Sequence, residues 1–271
     1  MARMVTEDPW PERCEEARSV LGILHEACRS ESLAHHRGSL RRIGIGANRA
    51  IVPADGPRET TWIVHSGILR VEDVTECGRR LILGFVLPGE LVGISRFEPN
   101  RCSIETATDS VLYRIDRRVF ATAIDESVDL RRAVLRQQDV WLERLRTLTW
   151  MLCALTPEQR FCAFLVQLIR IMPVQTASNG NLRVTNRLTR RDVADHLGTT
   201  IESISRITHR LQRQGIIEII DPHNFRIRDM RALVTAGCAE PSLPEVSGPD
   251  APLPERSPGT LAARPPAVAL N

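Results

Sequence analysis

The chain has 271 residues, 42% of them hydrophobic, and a net charge of only +3. That is enough apolar material for two domains with real cores, and too little charge for a polycation that coats nucleic acid along its whole length. No signal-peptide core opens it, no run of about 18 apolar residues marks a membrane span, and seven scattered cysteines read as reduced thiols; a cytoplasmic protein with no membrane partner is expected.

Residues 1–35 read as an Arg/Glu-rich leader with one helix, from Glu12 to about Cys28. Residues 36–124 change character. Short apolar runs (Ile43–Ile51, Trp62–His65, Ile68–Val71, Arg80–Val86, Leu91–Val92, Ser103–Thr106, Val111–Ile115) alternate with turn signals at Asp55-Gly56, Ser66-Gly67, Cys77-Gly78 and Pro88-Gly89. Short strands at near-even spacing predict a β-sandwich or barrel.

A long helix is expected over residues 125–155. Val134, Gln138, Trp141, Leu145, Leu148, Leu152 and Leu155 follow a 4-3 spacing, a heptad seam of about three repeats that suits a dimer interface. The alternative is a single amphipathic helix packed on its own barrel. Thr156-Pro-Glu-Gln159 then supplies a fresh N-cap, with Pro at the first helical position and Gln at the third. A new helix (Arg160–Ile171) and a hinge between domains follow from it. Cys153 and Cys162 flank this hinge and are candidate redox thiols, with buried apolar cysteines as the plainer reading.

After a loop from Pro173 to Arg187, the segment Leu188–Leu211 reads as two short helices joined at Gly198. Val193, Ala194 and Leu197 face inward from the first helix; Ile204, Ile207 and Leu211 do so from the second, which starts near Thr200. This is a helix-turn-helix. The early turns of its second helix keep Ile201, Glu202, Ser205 and Arg206 off the core, where a recognition helix reaches base edges. Arg can donate twice to guanine and Glu can accept from cytosine; the same pair also fits a plain i,i+4 ion pair. Arg213–Arg228 adds a helix end at Gly215 and two strands around Asp221-Pro-His-Asn224, which would make the domain, residues 156–237, winged. Residues 182–231 hold ten Arg against six acids, a modest excess suited to phosphates. The tail, 238–271, is Pro-rich and reads as disordered. No phosphate-cradling Gly loop, H-E-x-x-H, paired CxxC or G-x-S-x-G is present, so no enzyme is expected.

In this order, a β-barrel, a long dimerising helix and a C-terminal winged helix-turn-helix resemble the Crp/Fnr family of bacterial transcription regulators, over about residues 40–235. Ile201-Glu-Ser-Ile-Ser-Arg206 looks like the recognition helix of the Fnr and FixK branch, and Gly78–Gly93 also resembles FixK-type proteins. In the cAMP-receptor branch an Arg stands in place of Ile201 and a Gly in place of Ser205. The resemblance implies an α+β fold with a cyclic-nucleotide-binding-like jelly-roll barrel. It implies a homodimer that binds double-stranded DNA palindromes of the type TTGA-N6-TCAA, contacts RNA polymerase and activates genes of low-oxygen or nitrogen-oxide metabolism. Arg206 would read the guanine and Glu202 the opposite cytosine, Ser205 and Ile201 would lie against thymines, and Thr189, Arg190 and Thr200 would hold phosphates.

Three sensing chemistries occur in such proteins. A cyclic nucleotide would need a Glu where this chain has Ile94, and an Arg-Ser or Arg-Thr pair where it has Arg101-Cys102. An iron–sulfur cluster needs four thiolates; Cys14 and Cys28 are widely spaced and Cys102 is a distant third. For haem, His25, His35, His36 and His65 are candidates by residue type alone. The expectation is therefore a regulator with no cofactor, controlled by abundance; the alternative is a haem- or cluster-dependent sensor.

Overall fold

The computed structural model describes residues 40–52, 59–93, 102–171, 174–176, 182–221 and 224–238. The expected leader helix, residues 94–101 and the Pro-rich tail lie outside the described residues, as do Cys14, Cys28, His25, His35 and His36.

Eight strands come first: β1 (Arg41–Ile45), β2 (Ala50–Val52), β3 (Thr60–Ser66), β4 (Leu69–Val74), β5 (Arg80–Val86), β6 (Leu91–Val92), β7 (Ser103–Thr106) and β8 (Ser110–Asp116). They form two four-stranded sheets, in the orders β1-β8-β3-β6 and β2-β7-β4-β5, with antiparallel pairing throughout. Among the described residues no hydrogen-bonded pairing closes the two sheets into a single barrel. One apolar core draws on both: Val52, Leu69, Val86 and Ile104 from one sheet, Val64, Val92 and Leu112 from the other. β3 reads as an unbroken run, Trp62-Ile-Val, because the first sheet is covered on both faces. Val64 enters the core between the sheets, while Ile63 packs with Phe120 and Leu130 on the outer face.

Those covering side chains belong to α1 (Arg117–Glu126) and α2 (Val128–Ala154). Asp116 caps α1 by accepting from Arg118 and Val119 amides, and Ser127 caps α2 at Leu130. α2 has 27 residues and so runs about 40 Å. It stops at Leu155, and α3 (Pro157–Ile171) starts at the expected capping box: Thr156 N donates to Gln159 Oε1 at 2.9 Å and Gln159 N to Thr156 Oγ1 at 3.4 Å.

The head follows: β9 (Val174–Thr176), β10 (Leu182–Thr185), α4 (Arg190–His196), α5 (Ile201–Arg213), β11 (Ile217–Ile219), β12 (Asn224–Ile227) and α6 (Met230–Ala236). The wing is a four-stranded sheet, β11-β12-β10-β9. Two of its strands fall in the stretch expected to be a loop, Pro173–Arg187. One buried cluster runs from α5 and α6 through α3 into Ile68, Ile82 and Phe85 of the paired-sheet region, so head and sheets share a core.

Candidate DNA-binding site

The two helices of the motif are set by caps and one turn. Thr189 Oγ1 accepts from the Asp192 amide at 3.0 Å and donates to Asp192 Oδ2 at 2.7 Å. Thr200 Oγ1 accepts from the Ser203 amide at 3.1 Å and starts α5. Between them Gly198 takes φ +60, a conformation that costs a residue with a Cβ; its missing side chain also leaves room for Leu152, 3.2 Å from where a Cβ would stand. Val193, Ala194, Leu197, Ile204, Ile207 and Leu211 are all buried, as their spacing predicts.

The remaining faces open to solvent. Ile201, Glu202 and Arg206 are exposed and Ser205 is half-buried, all on the first two turns of α5. Thr189, Arg190 and Thr200 are exposed at the two helix starts. Helix N-termini present free amides and a positive dipole end, which suits phosphate oxygens. The carboxyl of Glu202 is held below its ordinary value by its own backbone amide and the Thr200 hydroxyl, with Arg206 adding the smallest pull. It is therefore an anionic acceptor, suited to a cytosine amine.

The exposed stripe continues one turn further than the sequence reading took it, through His209 and Arg213. The 202-206-209-213 spacing was the signal for it. Several other arginines are spoken for within the chain. Arg210 pairs with Glu158, and Arg226 and Arg228 both bond Glu218 Oε2 at 2.8 Å. The basic excess of the head is thus smaller at its surface than in its composition.

The dimer seam needs correction. Val134, Leu148 and Leu155 are buried in the chain's own cores, and Trp141 packs on Gly84. The 4-3 pattern there traced the inward face, the alternative noted above. Leu145 and Leu152 are half-buried and Gln138 is exposed. The open apolar face lies one residue round: Leu135, Leu142 and Trp150 are 53%, 67% and 48% exposed. Leu135, Gln138, Leu142, Leu145, Thr149 and Leu152 repeat at 3-4-3-4-3. Cys162 is also corrected. It is fully buried, and desolvation, with Glu158 adding, pushes its thiol up to about 12, so the reactive thiolate is suppressed. Cys153 is exposed.

Among the described residues no three His, Cys, Asp or Glu side chains gather as a metal site, and no helix is long and apolar enough to cross a membrane.

Comparison with known proteins gives this geometry its relatives. Family models match a cyclic nucleotide-binding domain at residues 45–127 and a Crp-like helix-turn-helix domain at residues 159–236. A nitrogen fixation regulation protein FixK from Azorhizobium caulinodans is 32% identical, over 69% of this chain and 75% of that protein. The chain belongs to the Crp/Fnr family of transcription regulators. An anaerobic regulatory protein of Pasteurella multocida is 27% identical over 72% of this chain and 71% of its own length. Among solved structures, FixK2 from Bradyrhizobium japonicum superposes with a TM-score of 0.68 at 24% identity, over 74% of this chain and 98% of that one. A CooA mutant from Carboxydothermus hydrogenoformans gives the same TM-score at 18% identity, over 87% and 98%. As a Crp/Fnr regulator the protein is a homodimeric DNA-binding factor and its role is regulatory, not enzymatic.

Proposed function

We propose that this regulator is an activator that reads TTGA-N6-TCAA palindromes and serves low-oxygen or nitrogen-oxide metabolism, in the cytoplasm and together with RNA polymerase. The observation that carries the reading is the joint exposure of Glu202, Ser205 and Arg206 on the first turns of α5, over a buried row of Ile204, Ile207 and Leu211. Thr189, Arg190 and Thr200 would take the flanking phosphates. The named roles of the FixK and anaerobic regulatory relatives support the physiological setting. Two protomers would meet along Leu135, Leu142 and Leu145 of α2, with the wing sheet as part of a DNA-binding domain over 156–237. The two facing sheets are taken as the jelly roll suggested by the sequence.

We read the protein as working without a cofactor. Against a cyclic nucleotide stand the apolar core between the described sheets and the bonding of buried Arg70 to Glu72, Glu105 and Asn48; Ile94 and Arg101 lie outside the described residues. In the sensor alternative His65, edge-on to Tyr113, is the candidate histidine among the described residues. Its Nδ1 has no hydrogen-bond partner among them, and burial followed by Arg42 lowers its pKa, but the atom is buried and the ring would have to turn outward to reach an iron. A visible absorption spectrum of freshly purified protein separates the two; a Soret band overturns the cofactor-free reading.

The test of the DNA reading is fluorescence anisotropy on a TTGA-N6-TCAA duplex, in air, without added ligand and at stated salt. Tight binding that weakens by about 1–3 kcal/mol per swapped guanine is expected. Binding that ignores the swaps would sink the assignment of Glu202, Ser205 and Arg206.

A further inference from the structure

Head and sheets are joined by a buried charged cluster that the DNA-reading face does not use. Arg80, the first residue of β5, donates from Nε to Asp195 Oδ2 at 2.7 Å and from Nη2 to Asp192 Oδ1 at 2.8 Å. Its Nη1 reaches Glu72 Oε2 at 3.3 Å. Behind it, Arg70 of β4 donates to the same Glu72 oxygen at 2.8 Å and to Glu105 at 2.6 Å. Asp192 is 2% exposed, Arg70 4% and Glu72 6%. One residue beyond Asp195, His196 Nδ1 lies 3.0 Å from the Ile82 carbonyl, with the rings of Phe85 and Phe164 beside it. A carbonyl only accepts, so Nδ1 carries the proton and donates.

Buried ion pairs add little net stability, because desolvation offsets most of their attraction. What a three-pronged guanidinium fixes is direction. The cluster holds α4, the first helix of the motif, and through Asp192 it holds Thr189, the cap at that helix's DNA-facing end. α2 also packs on β5. A Cβ on Gly84 of β5 would lie 2.9 Å from the Trp141 ring of α2, so the ring rests on bare backbone. β5 thus ties α2, the helix proposed to dimerise, to α4, the first helix of the DNA-binding motif.

We propose that Arg80, with Asp192 and Asp195, determines which half-site spacing the dimer accepts; this rests on reading the chain as a two-fold binder of palindromes. Inserting one base pair between half-sites shifts one of them by about 3.4 Å and turns it by about 35°. Without the clasp, the head would be held to the sheets mainly by the apolar packing around Ile68, Ile82 and Phe85, which is non-directional and lets it slide to follow. A head clasped to β5 cannot, so the protein selects spacing as well as bases.

The experiment measures full-length wild type, Arg80→Gln and Asp195→Asn on palindromes with N5, N6 and N7 spacers, and on N6 with swapped guanines. Asp195 is only partly buried, so its variant stays informative should Arg80→Gln fold poorly. Hydrogen exchange of the DNA-free proteins reads the clasp independently. Expected is faster exchange in α4 in both variants, with the preference for N6 over N5 and N7 falling about tenfold and guanine discrimination retained. Unchanged exchange, or an unchanged spacer preference in natively folded variants, overturns the proposal. Tighter variant binding at N6 also overturns it, since the clasp would then hold the head in a non-binding pose. Wild type blind to the guanine swaps would defeat the DNA reading and the spacing role, whereas faster variant exchange would still stand as evidence of a clasp.

Discussion

α4 and α5 carry polar residues in two opposite situations. On α5, Glu202 and Arg206 stand in solvent, Glu202 held only by local bonds to its own amide and Thr200. On α4, Asp192 and His196 are buried against another part of the molecule. The difference separates recognition from placement. Exposed groups can change without disturbing the fold, and their energetic effect is felt only when DNA arrives. Buried groups act before DNA arrives, by deciding where the exposed ones point.

The sharpest way to break the comparison is Asp192→Ala. It removes an α4 capping partner and leaves Arg80 and Arg70 short of a carboxylate, and about 3–5 kcal/mol of stability should go. Denaturant unfolding measures this, and a loss below about 1 kcal/mol would place Asp192 with the surface residues.

Acid should weaken the buried side next. Burial lowers His196 to about 4 against its ordinary 6.5, the Ile82 carbonyl opposing only in part. Above pH 6.5 the ring is neutral folded or unfolded and contributes no pH dependence. As pH falls from 6.5 toward 4 the unfolded chain binds a proton that the folded chain refuses. Stability then drops by an amount on the order of 3 kcal/mol and levels off below about pH 4. His196→Gln should flatten that part of the unfolding free energy against pH; an unchanged slope would assign the acid sensitivity elsewhere.

The smallest structural effect belongs to the exposed side. Arg206→Ala should leave the melting temperature in place while costing about 1–3 kcal/mol of discrimination at the guanine. Arg190→Ala should instead weaken all sequences alike and reduce the salt slope by about 1. Competition binding at several salt concentrations tells them apart. Equal base discrimination by wild type and Arg206→Ala would remove Arg206 from the reading set.

The head was legible in the sequence because its signals are local. Gly198 as the turn, a second helix starting near Thr200 and Ile204-Ile207-Leu211 as an inward row all lie within one or two turns of what they determine. The Thr156–Gln159 capping box was legible for the same reason. The seam on α2 was mis-phased because that helix carries apolar residues on two faces. Val134, Leu148 and Leu155 face the chain's own cores, Leu135 and Leu142 face away, and a heptad count fits both stripes. Strands β9 and β10 were missed because they are short and flanked by Asn and Gly, whose turn signals outweigh three or four residues of strand. The clasp was not legible at all. Arg80 and Asp192 are 112 positions apart, and each reads as an ordinary surface charge until the fold brings them together.

The contact between Gly84 and Trp141 has a consequence for descent. With a Cβ only 2.9 Å from the indole, a side chain at 84 requires the Trp141 ring to shift or shrink. Position 141 can lose bulk while the glycine stays, whereas the glycine is lost without a clash only once the ring has given way. The order of the two changes is thus set by the packing.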